Sequence, residues 1–375
     1  MKIAFVYDVI YPYVKGGAEK RIYELSLRLA ERGHEVHIFG MKYWDGPAVF
    51  EKDGIIYHGL CRPMDLYVKG RRSIVQAIYY SFFLFLPLLK ERPDVIDCQA
   101  FPYFPLLPSW LVSKVSKCSL VVTWHEVWGN YWYDYLGFFG IFGKFIERFA
   151  IYFTKNPVAV SGSTARNLEC NGMRGYIPIF PNGIDFKEIN RINPAREYSD
   201  IIFVGRLIPE KNVDLLLQAL VRICEKMPEI KAVIVGDGPE MQRLEDMVGD
   251  LGLTGNVTFM GFLHDYDDVI AVMKASKVFV LPSSREGFGI VAIEAMACGL
   301  RVVTVKSPRN AACDLIREGS NGYIADLSPE SLVSCILLAL SEKEEIKELL
   351  IDSVNDYEWD AISKKLILTY NEAGD

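Results

Sequence analysis

The sequence predicts an α/β protein built from two Rossmann-like, parallel-sheet domains. Three observations carry this. Strand-like apolar runs alternate with helical ones along most of the 375 residues. The alternation breaks once, over the polar, turn-rich PNGIDFKEINRINPAREYSD, and then restarts. The chain is also longer than one ordinary core organises. The expected divisions are residues 1–180, a linker at 181–199, a second domain at 200–356, and a terminal helix at 357–375 that returns to the first domain.

In the first domain the strand readings are KIAFVYD (2–8), EVHIFG (35–40), VIDC (95–98), SLVVTW (119–124) and PVAVS (157–161). Between the first two, Ile22, Leu25 and Leu29 recur at helical spacing, and Gly33 stands where a C-terminal cap belongs. Ser161 is placed to cap a helix over TARNLEC. In the second domain the strands are DIIFVG (200–205), KAVIVG (231–236), NVTFMG (256–261), KVFVLP (277–282) and RVVTV (301–305). Apolar strands divided by helices describe a sheet covered on both faces. Such sheets bind ligands beyond the carboxyl ends of their strands, and two of them face to face would place a site in the cleft between domains.

Composition narrows the function. Half the residues are hydrophobic and 24% are charged, which describes a folded chain. A formal net charge of -7 gives no support for non-specific nucleic-acid binding. The eight cysteines form no CxxC pair and read as buried small hydrophobes in a reducing compartment. A strand begins directly after Met1 with no signal peptide before it, so a cytoplasmic location is expected. The apolar run AIYYSFFLFLPLLK (77–90) falls short of about 20 residues and contains Pro87, which favours a buried or interfacial helix over a spanning one.

The chemistry concentrates at strand ends. Arg206 and Lys211 follow Gly205 within six residues and can clamp a diphosphate, one as a planar fork and the other as a mobile point charge. Taken alone, the pair is better accounted for by a solvated loop feeding a helix. The GDG at 236–238 lacks a third glycine and reads as a tight turn beside a ligand, not a dinucleotide fingerprint. In SREGFGIVAIEAMACG (284–299), the free N–H groups from Gly287 through Phe288 and Gly289 to Ile290 suit phosphate oxygens. Glu294 can accept both hydroxyls of a ribose, and Glu286 hydroxyls attached beyond the phosphates. This fits a nucleotide sugar better than a nucleotide alone, although a cap and a salt bridge would also explain two acids.

In the first domain, Gly16 and Gly17 open a helix and allow close approach to a phosphate or sugar, with Glu19 in the first turn. His125, followed by Glu126, lies just beyond a strand, whereas His37 lies within one and reads as packing. No HExxH or comparable ligand cluster appears, so no catalytic metal is expected, and GxSxG is absent.

Together these segments resemble the retaining GT-B glycosyltransferases of family 4. They are GGAE (16–19), HE (125–126), VSGSTARN (160–167), PNGID (181–185), VGRLIPEKNVDLLLQA (204–219), VGDGPE (235–240), VTFMGFL (257–263) and EGFGIVAIEAMACG (286–299). The terminal YEWDAISKKLILTY (357–370) resembles that fold's closing helix.

The resemblance implies that Arg206 and Lys211 hold the donor diphosphate and that Glu294 binds the ribose. It gives Glu286 the donor sugar, with backbone help from Gly287, Phe288 and Gly289. Gly17, next to Gly16, lies near the donor phosphate, and His125 near the transferred sugar. Phe262 and Leu263 sit where the base is held. His125 is followed by glutamate where many relatives have aspartate. The implied reaction is front-side transfer without a metal, from a UDP- or GDP-sugar, with no cofactor. The leaving phosphate takes the acceptor's proton.

The acceptor is implied to belong to the first domain. Residues 124–153 are rich in aromatics, and Lys69, Arg71 and Arg72 precede the apolar helix, a pattern that suits a lipid-linked acceptor and peripheral contact with the cytoplasmic face of a membrane. A well-packed core with a few exposed aromatics suits the same residues. Two other classes stand beside the transferase: a GT-B protein that binds nucleotide sugar without catalysis, and a GT-B epimerase or phosphorylase. A dinucleotide oxidoreductase is disfavoured because KGGAEKR supplies no GxGxxG.

Overall fold

The computed structural model describes residues 1–68, 71–341 and 347–373. The chain divides into two units, one from Met1 to Gly183 together with the stretch from Trp359 onward, the other Ile184–Glu358.

The first unit runs β1 (Lys2–Val6), α1 (Gly17–Glu31), β2 (Glu35–Gly40), β3 (Val49–Lys52), β4 (Ile55–Gly59), β5 (Tyr67–Val68), β6 (Arg71–Arg72) and α2 (Ile74–Glu91). It continues through β7 (Val95–Gln99), α3 (Leu106–Ser116), β8 (Ser119–Trp124), α4 (Tyr131–Leu136), α5 (Gly140–Phe153), β9 (Asn156–Ala159) and α6 (Gly162–Cys170). Its main sheet has the order β3-β4-β2-β1-β7-β8-β9. All pairings are parallel except β3 with β4. Successive side chains of β1 enter opposite cores, as the two-residue period of a strand requires. Ala4 and Val6 join Tyr80, Leu84 and Leu88 on one face, while Ile3 and Phe5 join Leu25 and Leu29 on the other. Each face is therefore apolar, and the strand reads as a continuous hydrophobic run.

Helix ends follow the local chemistry. Gly33, at φ 81°, ends α1. The Ser161 hydroxyl accepts from Thr164 N at 3.0 Å and opens α6. Helix α2 is longer than the apolar run suggested: eighteen residues, sufficient by length and composition to cross a membrane. It nonetheless buries Gln76, Ala77, Tyr80, Leu84 and Leu88 against the sheet. Arg72 is not a surface flank of this helix. Its guanidinium turns inward and grips both carboxylate oxygens of Asp8 at 2.7 and 2.6 Å. Lys69 lies outside the described residues, as does the side chain of Arg71.

The second unit contains α7 (Phe186–Arg191), β10 (Ser199–Val204), α8 (Val213–Cys224), β11 (Ala232–Val235), α9 (Met241–Asp250), β12 (Val257–Gly261), α10 (Tyr266–Lys274) and β13 (Ser276–Leu281). Then come β14 (Arg285–Glu286), α11 (Ile290–Ala297), β15 (Arg301–Val305), β16 (Arg309–Asn310), β17 (Gly322–Ala325), α12 (Pro329–Ser341) and α13 (Lys347–Asp352). Its sheet is parallel throughout, in the order β12-β11-β10-β13-β15-β17. Within 181–199, Asp185 caps α7, and Ile184, Ile189 and Ile192 are buried. The last helix, α14 (Trp359–Glu372), belongs to the first unit, where Trp359, Ile362, Leu366 and Tyr370 enter the core shared with α1.

In each sheet the strand order reverses beside the first strand, between β1 and β7 and between β10 and β13. Ligands of open α/β sheets bind past the carboxyl ends at such points. Among the described residues no cysteine is disulfide-bonded. Cys61, Cys98 and Cys298 are buried, but Cys170, at the outer end of α6, is exposed, which departs from the expectation of buried thiols.

Candidate functional site

In the second unit, the reversal between β10 and β13 gathers the predicted residues of two loops. Gly205 continues β10 by donating to Val235 O at 3.0 Å. Arg206 follows and is exposed. Lys211 closes the single 3₁₀ turn Pro209–Lys211. Beyond it Asn212 takes a left-handed conformation, φ 47°, and its amide donates to Pro282 O at 2.9 Å, tying this loop to the end of β13. Ser284 N donates to Glu210 O at 2.9 Å and adds a second tie. The sequence reading did not single out Asn212.

These ties bring Lys211 to Glu286, and the two side chains form an ion pair with little solvent exposure. Glu286 is held from behind, because β14 pairs with β16 and sets it opposite Asn310. Asn310 in turn donates to Thr304 Oγ1 and Val305 O and caps Ala312 N. Gly287 is partly exposed, whereas the Phe288 ring is buried near Tyr357, which leaves Phe288 only its backbone to offer a ligand. Gly289 begins α11 at φ 92°, and a Cβ there would lie 2.9 Å from that of Ala312. The first turn of α11 follows at once, so its N–H groups and dipole face the loop.

One turn on, Glu294 is buried and accepts from the hydroxyl of Tyr266 at 3.0 Å. Burial, with the Glu294 charge second, raises the Tyr266 phenol well above its usual range, so Tyr266 acts as a neutral donor. The Ser283 hydroxyl is fully buried at this strand end without a hydrogen-bond partner among the described residues. Phe262 lies exposed beyond β12, edge-on to His264, with Leu263 half-buried beside it. The GDG segment, expected as a tight turn, is an irregular loop, and the turn follows it at Pro239 and Glu240. Gly236 sits at φ 136°, where a Cβ would lie 1.9 Å from Gly205 O, so only glycine lets the two loops touch.

In the first unit, Gly16 caps α1 and Gly17 is its first residue; both are exposed. A Cβ on Gly16 would meet Glu19 Oε2 at 2.5 Å. Glu19 itself is buried, and burial raises its carboxyl to about 7.

His125 follows β8 and bonds to Gln99 Oε1 through Nε2 at 2.8 Å. The Gln99 amide donates to Asp97 Oδ1 at 2.9 Å, which fixes its orientation. The oxygen therefore faces the ring, Nε2 carries the proton, and Nδ1 keeps its lone pair. Burial, helped by the Arg21 charge, pushes His125 down to about 3, so the ring is neutral. Asp97 also accepts from Thr123 at 2.8 Å and from Tyr370 of α14 at 2.6 Å. Neither Gln99 nor Asp97 was singled out in the sequence. Their i, i+2 spacing on one strand was the available signal. Glu126 is engaged by the Trp128 indole at 2.8 Å.

Among the described residues one group could hold a metal ion, His37, His58 and Glu91. Its members stand on β2, on β4 and at the end of α2, and its atoms pair among themselves and with neighbours. His37 meets His58 at 2.8 Å and Glu35 at 2.9 Å, while Lys2 bonds Glu91 at 3.0 Å.

Comparison with known proteins bears on the family and the fold. The family model "Glycosyltransferase Family 4" matches residues 15–188, and "Glycosyl transferases group 1" matches 185–351. Two curated relatives are similar over most of the chain. The phosphatidylinositol N-acetylglucosaminyltransferase gpi3 subunit of Schizosaccharomyces pombe is 24% identical over 94% of this chain and 72% of its own length. The phosphatidyl-myo-inositol mannosyltransferase of Mycobacterium tuberculosis is 25% identical over 96% and 95%.

Two solved structures share the fold. Sucrose-phosphate synthase from Thermosynechococcus elongatus has a TM-score of 0.80 at 19% identity, covering 99% of this chain and 98% of that one. Anabaena HepE in complex with UDP and glucose has 0.76 at 20% identity, covering 99% of each. With the two models meeting end to end across residues 15–351, the chain belongs to the family 4, group 1 glycosyltransferases and is a GT-B enzyme that transfers sugar from a nucleotide sugar.

Proposed function

We propose that the protein is a retaining glycosyltransferase whose donor is a UDP- or GDP-sugar and whose acceptor is a lipid-linked hydroxyl. The observation that carries the donor half is the Lys211–Glu286 pair beside the exposed Arg206. A donor diphosphate, carrying two negative charges, would replace Glu286 as the partner of Lys211. Glu286 is then released to accept hydroxyls of the sugar, while Glu294, oriented by Tyr266, accepts those of the ribose. Arg206, Lys211 and the first turn of α11 stabilise the charge that grows on the leaving diphosphate. The acceptor oxygen attacks the anomeric carbon on the face the diphosphate leaves. The carbon–oxygen bond to phosphate breaks, and a phosphate oxygen takes the acceptor's proton.

The lipid half of the reading is supported by the two relatives named for phosphatidylinositol substrates. His125, neutral with Nδ1 open, is suited to accept from a sugar hydroxyl in this scheme.

Calorimetry with UDP-glucose, UDP-N-acetylglucosamine and GDP-mannose tests the proposal, run on intact protein and on Glu294→Ala. Binding of one donor, weakened at least tenfold in the variant, is expected. Folded protein that binds none of a wider donor panel would overturn it. NMR of the product's anomeric configuration reads retention directly.

A further inference from the structure

The outer faces of α2, α3 and α5 carry exposed apolar side chains that no described residue of their unit covers. All three helices pack into the same core on one face of the first sheet. Helix α3 touches α5 through Trp110 and Phe153, ring centroids 4.9 Å apart, and an apolar groove lined by Leu107, Phe145 and Phe149 runs between them. Their solvent sides are as apolar as their buried ones. On α2, Phe82 is 81% exposed, with Ile78 and Leu86 on the same stripe. At the turn into α5, Phe138 is 84% exposed and Phe142 61%. Soluble monomers rarely leave a continuous patch of this kind open to water.

The charges on these helices identify the occupant. The chain as a whole carries a formal charge of -7, but the cations of α2, α3 and α5 are Lys90, Lys114, Lys144 and Arg148. Of their two acids one is buried and the other, partly exposed, is neutralised by a cation. Glu147 is buried, accepting from Tyr103 and Trp132, and Glu91 is paired with Lys2. A locally basic, aromatic-rich apolar face on an acidic protein is complementary to an anionic monolayer.

The same geometry decides how α2 would meet lipid. Its inner stripe is fixed by Gln76 donating to Asp8 at 3.2 Å and Tyr80 donating to Phe39 O at 2.7 Å, with Leu84 and Leu88 fully buried. Spanning a bilayer would extract that stripe from the core and strand a buried carboxylate. Lying flat costs none of this.

We infer that the α2–α3–α5 face is a membrane-docking surface that inserts into the headgroup region of an anionic phospholipid monolayer, with α2 in the plane of the membrane. The surface stands on its own observations, whatever sugar the enzyme transfers.

Flotation of the full chain with phosphatidylcholine vesicles containing 25% phosphatidylglycerol, and with pure phosphatidylcholine, tests it. The expected result is flotation with the anionic vesicles, several-fold weaker with the neutral ones. The triple variant Phe82→Ser, Phe138→Ser, Phe142→Ser changes only exposed side chains. It should keep its circular dichroism and melting temperature while its partition falls at least tenfold. Lys114→Glu with Arg148→Glu should lower binding to the anionic vesicles by at least about 30-fold, at about 1 kcal/mol per basic residue, and leave the neutral ones unaffected.

Folded protein that floats with neither vesicle overturns the inference, as does a triple variant that binds as well as the intact chain. A dimer in light scattering that the triple variant abolishes, without flotation, would assign the face to a second copy instead. Donor calorimetry on the same samples reports the transferase reading separately, so either can fail alone.

Discussion

Lys211 and Glu286, 75 residues apart, are ion-paired where the strand order of the second sheet reverses. The pair couples the two halves of donor recognition, because the cation that would hold phosphate is occupied by the acid that would hold sugar. A ligand bringing both groups satisfies both side chains, whereas a bare nucleoside diphosphate strands Glu286. Glu286→Gln removes that competition. Its affinity for the nucleoside diphosphate alone should therefore be unchanged or severalfold tighter, while transfer falls by about 10²–10³, the scale of losing one preorganised polar group at a reacting centre. Lys211→Met should weaken the same nucleotide at least tenfold. Calorimetry beside initial rates checks both, and a Glu286→Gln variant that loses nucleotide binding would refute the exchange.

Tyr266 is a positioning residue for Glu294, its hydroxyl 3.0 Å from the carboxylate. A hydrogen bond to a charged acceptor contributes about 1.5–3 kcal/mol, and this one orients a group assigned to the ribose, remote from the bond that breaks. Tyr266→Phe should therefore raise the donor KM by roughly tenfold and leave kcat within about twofold, the pattern of lost uniform binding. A fall in kcat at constant KM would place the effect in the transition state and contradict the assignment.

Local spacing made much of this legible in the sequence. The strands at 35–40, 119–124 and 301–305 match the expected runs to the residue, because buried parallel strands are short apolar blocks. Strands β3 and β4 were missed. VFEK is an exposed edge with no apolar face, and IIYHG mixes its single period with a histidine that turns inward. Arg206, Lys211 and Glu286 could be singled out because each follows a long parallel strand within a few positions, and Glu294 because it stands eight residues after Glu286 in the helix that follows.

What the sequence could not show was which side chains meet. Tyr370 reaches Asp97 across 273 residues, and Arg72 reaches Asp8 across 64. Both contacts are set by strand order and by burial of a carboxylate, neither of which spacing encodes. Arg72 was read as a surface flank for that reason. A buried acid at the end of β1 is what turned it inward.

Burial also gives Glu19 a titration that stability measurements can read. Its carboxyl is raised to about 7, chiefly by burial and secondarily by the nearby Asp8 charge. An unfolded glutamate titrates near 4.5. Between these values the folded chain holds a proton that the unfolded chain has released, so unfolding free energy falls as pH rises. The contribution of Glu19 is therefore fully present below about 4.5, lost progressively up to about 7, and constant above. Glu19→Gln keeps the shape of the protonated acid at every pH. Urea midpoints of the variant and the intact protein should coincide near pH 4, the variant should become progressively the more stable between about 4.5 and 7, and the gap should stay constant above, because the variant alone avoids a buried charge beside Gly16. Equal midpoints across the range would mean that Glu19 ionises in the folded protein as freely as in water.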